Sequence, residues 1–124
     1  MSKDVAGVAK QLLDAIERGD VDEVGRLYAP DAAIWHNTDG KTTSREQNLS
    51  TLAQFVRAVP ERRYTERRIH AWDSGFVEQH VLVGRLANGK ELRLNACLIC
   101  EVKNGQITRL DEYFDSAALA VFRD

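Results

Sequence analysis

The sequence predicts an α+β fold in which three N-terminal helices pack on one face of a curled antiparallel sheet. Three observations carry that expectation. Apolar residues recur at helical spacing up to Pro60, and from Tyr64 onward the period changes to runs rich in Val, Ile, Leu and aromatics. Two of those runs are joined by Asn104-Gly105, a two-residue turn that strongly favours a hairpin.

In chain order, Val5, Val8, Ala9, Leu12, Leu13 and Ile16 form the apolar stripe of a first helix, which Gly19 ends. Asp20 is the expected N-cap of a second helix, with Glu23 as its capping-box partner. Val21, Val24, Leu27 and Tyr28 carry that helix, and Pro30 stops it. Ala32 to His36 reads as a short strand that turns back at Asp39-Gly40. Thr43-Ser44-Arg45-Glu46 is a further capping signature. It opens a third helix whose inner face is Leu49, Leu52, Ala53, Val56 and Val59, ending at Pro60. Tyr64 to Trp72, Phe76 to Leu86, Glu91 to Lys103 and Gln106 to Phe114 then read as four strands of an antiparallel meander. Asp115-Ser116 caps a last helical turn from Ala117 to Phe122.

With 124 residues, 44% of them apolar and 29% charged, the chain reads as one globular domain over residues 1–124, without repeat or linker. A net charge of −2 argues against a nucleic-acid or anionic-membrane surface, which needs a basic excess. No apolar run approaches the roughly 20 residues that cross a bilayer. Met1-Ser2-Lys3-Asp4 leads into no apolar signal core, which points to the cytoplasm. Cys97 and Cys100 sit three apart in a strand-like run, so they face opposite ways and favour a reduced core pair over a redox motif. There is no glycine-rich phosphate loop, His-Glu-x-x-His or nucleophile elbow, and neither a metal nor a cofactor is expected. Arg62, Arg63, Arg67 and Arg68, diluted by Glu61 and Glu66, read as a solvated strand edge. The last two strands are apolar or aromatic at both parities, where a sheet with one wet face should alternate. A homodimer through the outer face of the sheet follows as the expectation.

Several stretches carry a family likeness: Glu17-Arg18-Gly19-Asp20, Leu27-Tyr28-Ala29-Pro30-Asp31-Ala32 and Trp35-His36-Asn37, then Val102 to Arg109 and Asp111-Glu112-Tyr113-Phe114-Asp115. Together, over nearly the whole chain, they resemble the nuclear transport factor 2-like superfamily and its SnoaL-like branch. That group includes ketosteroid isomerase, limonene epoxide hydrolase and polyketide cyclases. The resemblance implies a cone-shaped fold whose sheet and helices enclose a pocket for a small hydrophobic molecule. It specifies the scaffold more than the reaction.

Within that frame the candidate catalytic residues are Glu112, His80 and His36. By the resemblance, His36 falls where the isomerase carries its general-base aspartate, and Glu112 where the hydrolase and cyclases carry an aspartate on the last strand. The isomerase's oxyanion donors fall on Leu12 and roughly Leu98, which cannot donate a hydrogen bond. The hydrolase's Arg-x-Asp pair is replaced by Glu78-Gln79-His80. Leu110, Glu112 and Phe114 share parity and should face inward, and an imidazole or a carboxyl in an apolar cavity suits proton transfer. His80 and Glu112 are expected as a carboxylate–imidazole pair. Trp35, Tyr28, Leu52, Phe55, Val56, Leu98, Leu110 and Phe114 are the expected apolar lining, with Asn37 and Asn48 as polar anchors. Two classes of function remain open at this level. One is a cofactor-independent acid/base isomerase, cyclase or hydrolase; the other is a non-catalytic ligand carrier or sensor, or a dimeric protein-interaction module.

Overall fold

The computed structural model describes residues 4–123, so the reading of Met1 to Lys3 lies outside it. Helix α1 (Val5–Glu17) and helix α2 (Val21–Leu27) lead into strand β1 (Tyr28–His36), a short β2 (Thr42–Ser44) and helix α3 (Arg45–Ala58). Strands β3 (Glu61–Trp72), β4 (Gly75–Arg85), β5 (Glu91–Lys103) and β6 (Gln106–Phe114) follow, and a 3-10 turn (Ser116–Phe122) ends the described chain. The class is α+β, as the change of period predicts.

The caps that sequence chemistry demands are in place, with one shift of register. The Asp20 carboxylate accepts from Glu23 N at 3.0 Å, but the Glu23 carboxylate turns to Arg26 at 3.6 Å, so the expected capping box is only half formed. On α3 the N-cap is Ser44, not Thr43, and its box partner is Gln47, with both reciprocal hydrogen bonds formed. Ser44→Ala is expected to lower stability by about 1 kcal/mol. Urea unfolding checks this as a shift in midpoint at unchanged m-value.

The sheet is mixed, where an antiparallel one was expected. Its strand order is β2-β1-β6-β5-β4-β3. Strands β3 to β6 are the expected meander, and Asn104 and Gly105 both take positive φ, 55° and 76°, in their tight turn. Strand β1 joins β6 in parallel, aligning Ile34 with Leu110 and His36 with Glu112. A parallel neighbour needs a long crossover, and here everything from β2 to β5 provides it. β1 begins at Tyr28, four residues earlier than expected. Pro30 falls in the gap where the β1–β6 register shifts, so its missing N–H breaks no ladder bond.

The inner face of the sheet buries α1. Val8, Leu12 and Leu13 meet Phe76, Leu98, Cys100 and Ile107 in one cluster. A second cluster, Val59, Leu82, Leu92 and Leu94, lies under the C-terminal turn, where Leu119 packs on it. α3 contributes no fully buried residue, so its inner face overlooks space. Cys97 and Cys100 are free thiols on opposite faces of β5. Burial pushes the Cys100 thiol far above its ordinary range.

Two of the four arginines expected at a solvated edge have structural partners instead. Arg62 donates to the carbonyls of Ile16 and Val59, each at 2.8 Å, clamping the C-terminal ends of α1 and α3 to β3. That is where a helix dipole favours a cation. Arg67 reaches back to α1, 2.7 Å from Asp14 and 3.3 Å from Glu17. On the outer face, Ile99 and Tyr113 are each 41% exposed.

Candidate functional site

Between the inner face of the sheet, α1, α3 and the C-terminal turn lies a largely apolar cavity of about 360 Å³. Its walls are mostly leucine and phenylalanine, and that volume falls in the range of small-ligand sites. A larger cleft of about 620 Å³ opens on the sheet beside the β3 bulge, lined by Glu66, Arg67, Arg68, Gln79 and Asn95 among others. Its charged, open walls suit water better than an apolar molecule, so the interior cavity is the candidate site.

Glu112, His80 and His36 all face this cavity. The parallel register of β1 on β6 brings His36 and Glu112 side by side, with Nε2 2.9 Å from Oε1 and each side chain about a quarter exposed. The Glu112 carboxylate holds the His36 imidazole above its ordinary pKa, against the opposing effect of burial, and Asp39 adds to the rise. The expected pairing of His80 with Glu112 is not formed. Glu112 is taken by His36, while His80 Nδ1 lies 2.8 Å from Glu78 Oε1 on its own strand.

A pH dependence follows from the His36 shift. Its folded pKa lies above the unfolded value of about 6.5, so protonated His36 stabilises the fold below that pH. The contribution is lost as pH rises through the folded value. The stability difference between wild type and His36→Gln is therefore expected to be larger near about pH 6 than near about pH 9. Partial exposure keeps it under about 1 kcal/mol, and unfolding curves at both pH values measure it.

Tyr28, Leu52, Phe55, Leu98, Leu110 and Phe114 line the cavity, and three other expected liners do not. Trp35 precedes His36 on one strand, so it points the other way and packs on Tyr113 outside, ring centroids 5.2 Å apart. The Asn37 amide bonds the backbone N and O of Phe114, tying the end of β1 to β6. Val56, one residue on from Phe55, is turned away along the helix toward Gly19 and Arg62. Leu12 and Leu98, the positions matched to oxyanion donors, both line the cavity.

Two functional candidates were missed. Tyr64 lines the cavity from β3, and burial, reinforced by the negative charges of Glu112 and Glu78, pushes its hydroxyl far above the ordinary range. It therefore keeps its proton. Its signal in the sequence was the alternation Arg62–Tyr64 at the start of β3. The other is Glu78, which the Glu78-Gln79-His80 spacing placed on the same face as His80. Asn48, expected as a polar anchor, lines the cavity and accepts from the Tyr28 hydroxyl at 2.9 Å. Among the described residues no cluster of three or more His, Cys, Asp or Glu side chains could hold a metal ion, and no helix is long and apolar enough to cross a membrane.

Comparison with solved structures agrees on the architecture. A candidate polyketide cyclase from Xanthomonas campestris pv. campestris superposes with a TM-score of 0.83 at 23% identity, covering 93% of each chain. IdmH, a candidate polyketide cyclase from Streptomyces antibioticus, gives 0.84 at 19% identity over 97% of this chain and 99% of its own. An LEH-like epoxide hydrolase from M. tuberculosis gives 0.77 at 18% identity over 92% and 84%. At such identities the likeness is one of fold. A comparison with curated proteins found no match. The SnoaL-like domain family matches residues 9–110, from α1 into β6 and stopping two residues short of Glu112. By that match, and on a nuclear transport factor 2-like fold, the chain belongs to the SnoaL-like domain family.

Proposed function

We propose that this chain binds a small, largely apolar, ring-bearing molecule in the interior cavity and moves a proton on it without a cofactor, as an isomerase, cyclase or hydrolase. The observation that carries the reading is the His36–Glu112 pair, 2.9 Å apart on the wall of a largely apolar hollow. In this reading the Glu112 carboxylate takes a proton from an acidic carbon or a water of the bound molecule. The electron pair left behind moves into a carbonyl, and Tyr64, holding its proton, donates to the developing oxyanion. His36, 2.9 Å away, orients Glu112. Returning the proton at a second position completes the reaction. Leu12 and Leu98 remove the isomerase's own oxyanion donors, so the steroid reaction itself is not proposed.

One observation favours a carrier or sensor as the second reading: those same two leucines leave an apolar wall where transition-state donors would stand. A single screen separates the two. Apolar ring ketones and epoxides are added to the protein, and both the melting temperature and the products are followed. Stabilisation with turnover supports the enzyme; stabilisation without any product supports the carrier; no stabilisation by any compound rejects both.

The finer points of assembly and place belong to the same reading. Ile99 and Tyr113, both exposed on the outer face, support a second copy packing there. Sedimentation of the wild type and of Ile99→Lys tests it, the variant being expected as monomer. Two free thiols support a reducing compartment, the cytoplasm.

A further inference from the structure

Glu78 and His80 stand two apart on β4, so both side chains point to the inner face. Glu78 is wholly buried and the His80 side chain is 2% exposed, with His80 Nδ1 2.8 Å from Glu78 Oε1. Tyr64 packs edge-on against the imidazole, ring centroids 4.5 Å apart and planes at 76°. The ring is thus held on two sides. His80 forms part of the cavity wall and Glu78 does not, so a bound molecule meets the imidazole and never the carboxylate. The second oxygen of Glu78 has no hydrogen-bond partner among the described residues. A sealed carboxylate with one orphaned oxygen is costly, and a glutamine or an apolar residue would stabilise a merely structural position better.

We propose that Glu78 is a positioning residue. Its carboxylate accepts Nδ1–H and so holds His80 in the tautomer whose Nε2 faces the cavity as a second proton acceptor. The functional consequence rests on the proton-transfer reading of this cavity; the tautomer does not. When Nε2 takes a proton from a ligand C–H or O–H, the bonding pair stays on the ligand. The imidazolium formed lies against the Glu78 carboxylate until Nε2 returns the proton. Two proton-handling sites then share one cavity, Glu112 on β6 and His80 on β4, with β5 between them. Two strand spacings separate them by roughly 10 Å of backbone. The fitting ligand class is an extended or fused-ring apolar molecule with an enolisable carbonyl at one site and a second proton-bearing position at the other. Glu78 on its own strand and Tyr64 on β3 touch His80, and the other ionisable groups sharing its cavity are Tyr28 and His36 on β1, Asp39 in the turn after it and Glu112 on β6. Glu66, Arg67 and Arg68 stand beyond the bulge at its back.

Nitrogen-15 NMR of histidine-labelled protein, followed through a pH titration, reads the tautomer directly, with His80→Gln identifying the signals. In the wild type the neutral His80 is expected to carry its proton on Nδ1, leaving Nε2 bare. In Glu78→Gln an amide N–H turns toward Nδ1, so the neutral ring shifts to the Nε2–H form. A wild-type ring in the Nε2–H form, or a tautomer unchanged in Glu78→Gln, overturns the proposal. The wild-type measurement stands even if the variant fails to fold. On any ring substrate the protein converts, Glu78→Gln is expected to lower kcat by about 10²-fold or more with KM little changed. Equal kcat in both proteins overturns the positioning role. The expected tautomer with no conversion of any compound instead sinks the proton-transfer reading and leaves the assignment of Glu78 intact.

Discussion

Glu112→Gln is expected to lower kcat/KM on a converted ring substrate by about 10²–10⁴-fold, the usual worth of a positioned acid or base. The change keeps the size of the side chain and its acceptor oxygen but removes its ability to take a proton. Binding, which depends on the apolar wall, should change little, so the loss falls on kcat rather than on KM. The variant also deprives His36 of its charged neighbour, and the imidazole should titrate lower as a result. These two readouts guard each other. A fallen His36 pKa with unchanged turnover means that the pair exists but that the chemistry runs elsewhere, with His80 next in line. Unchanged values of both mean that the 2.9 Å contact does not persist in solution.

How much of this was legible beforehand depends on the distance over which information had to travel. The meander was readable because its parts are local. Asn104-Gly105 closes the β5–β6 hairpin, and the two-residue period places Leu110, Glu112 and Phe114 on one face, although a bulge between Ile107 and Arg109 resets their parity relative to the turn. The caps were readable for the same reason, within one residue at Ser44. The partner of Glu112 was not. His36 lies 76 positions away, and only the parallel addition of β1 to β6, a tertiary event with no turn to announce it, aligns the two. Trp35 shows a different lapse. Two adjacent residues on a strand cannot both face a cavity, so naming Trp35 and His36 together as site residues ran against the two-residue period. The pairing of Ile34 with Leu110 decides for His36. Tyr64 escaped because β3 carries a bulge between Thr65 and Arg68, with Glu66 at φ 55°, which reverses parity along the strand. Arg62 and Arg67 looked like edge charges because the α1 carbonyl and carboxylate that hold them, at Ile16 and Asp14, lie 46 and 53 residues away.

Phe76→Ala carries the largest expected effect on stability, about 3–5 kcal/mol, because Phe76 is 0% exposed in the sealed half of the interior. It stands between Ala71 and Cys100 on the neighbouring strands and belongs to the cluster under α1, where no open space lets the surroundings close in. For a chain of this length the melting temperature should fall by on the order of 10–20 °C. Leu98→Ala is the matched control. Leu98 lies on the same face and in the same cluster, but its side chain forms part of the cavity wall. Truncating it enlarges a hollow that already exists and that water or a ligand can enter, so the expected cost sits near the low end, about 2 kcal/mol. The contrast reaches beyond stability. Phe76→Ala should leave the affinity for a ring compound nearly unchanged in the fraction that remains folded, whereas Leu98→Ala should weaken small ligands and admit bulkier ones. Equal destabilisation by the two variants, together with equal ligand preference, would mean that the interior is packed solid on both sides of β5 and that Leu98 guards no space at all.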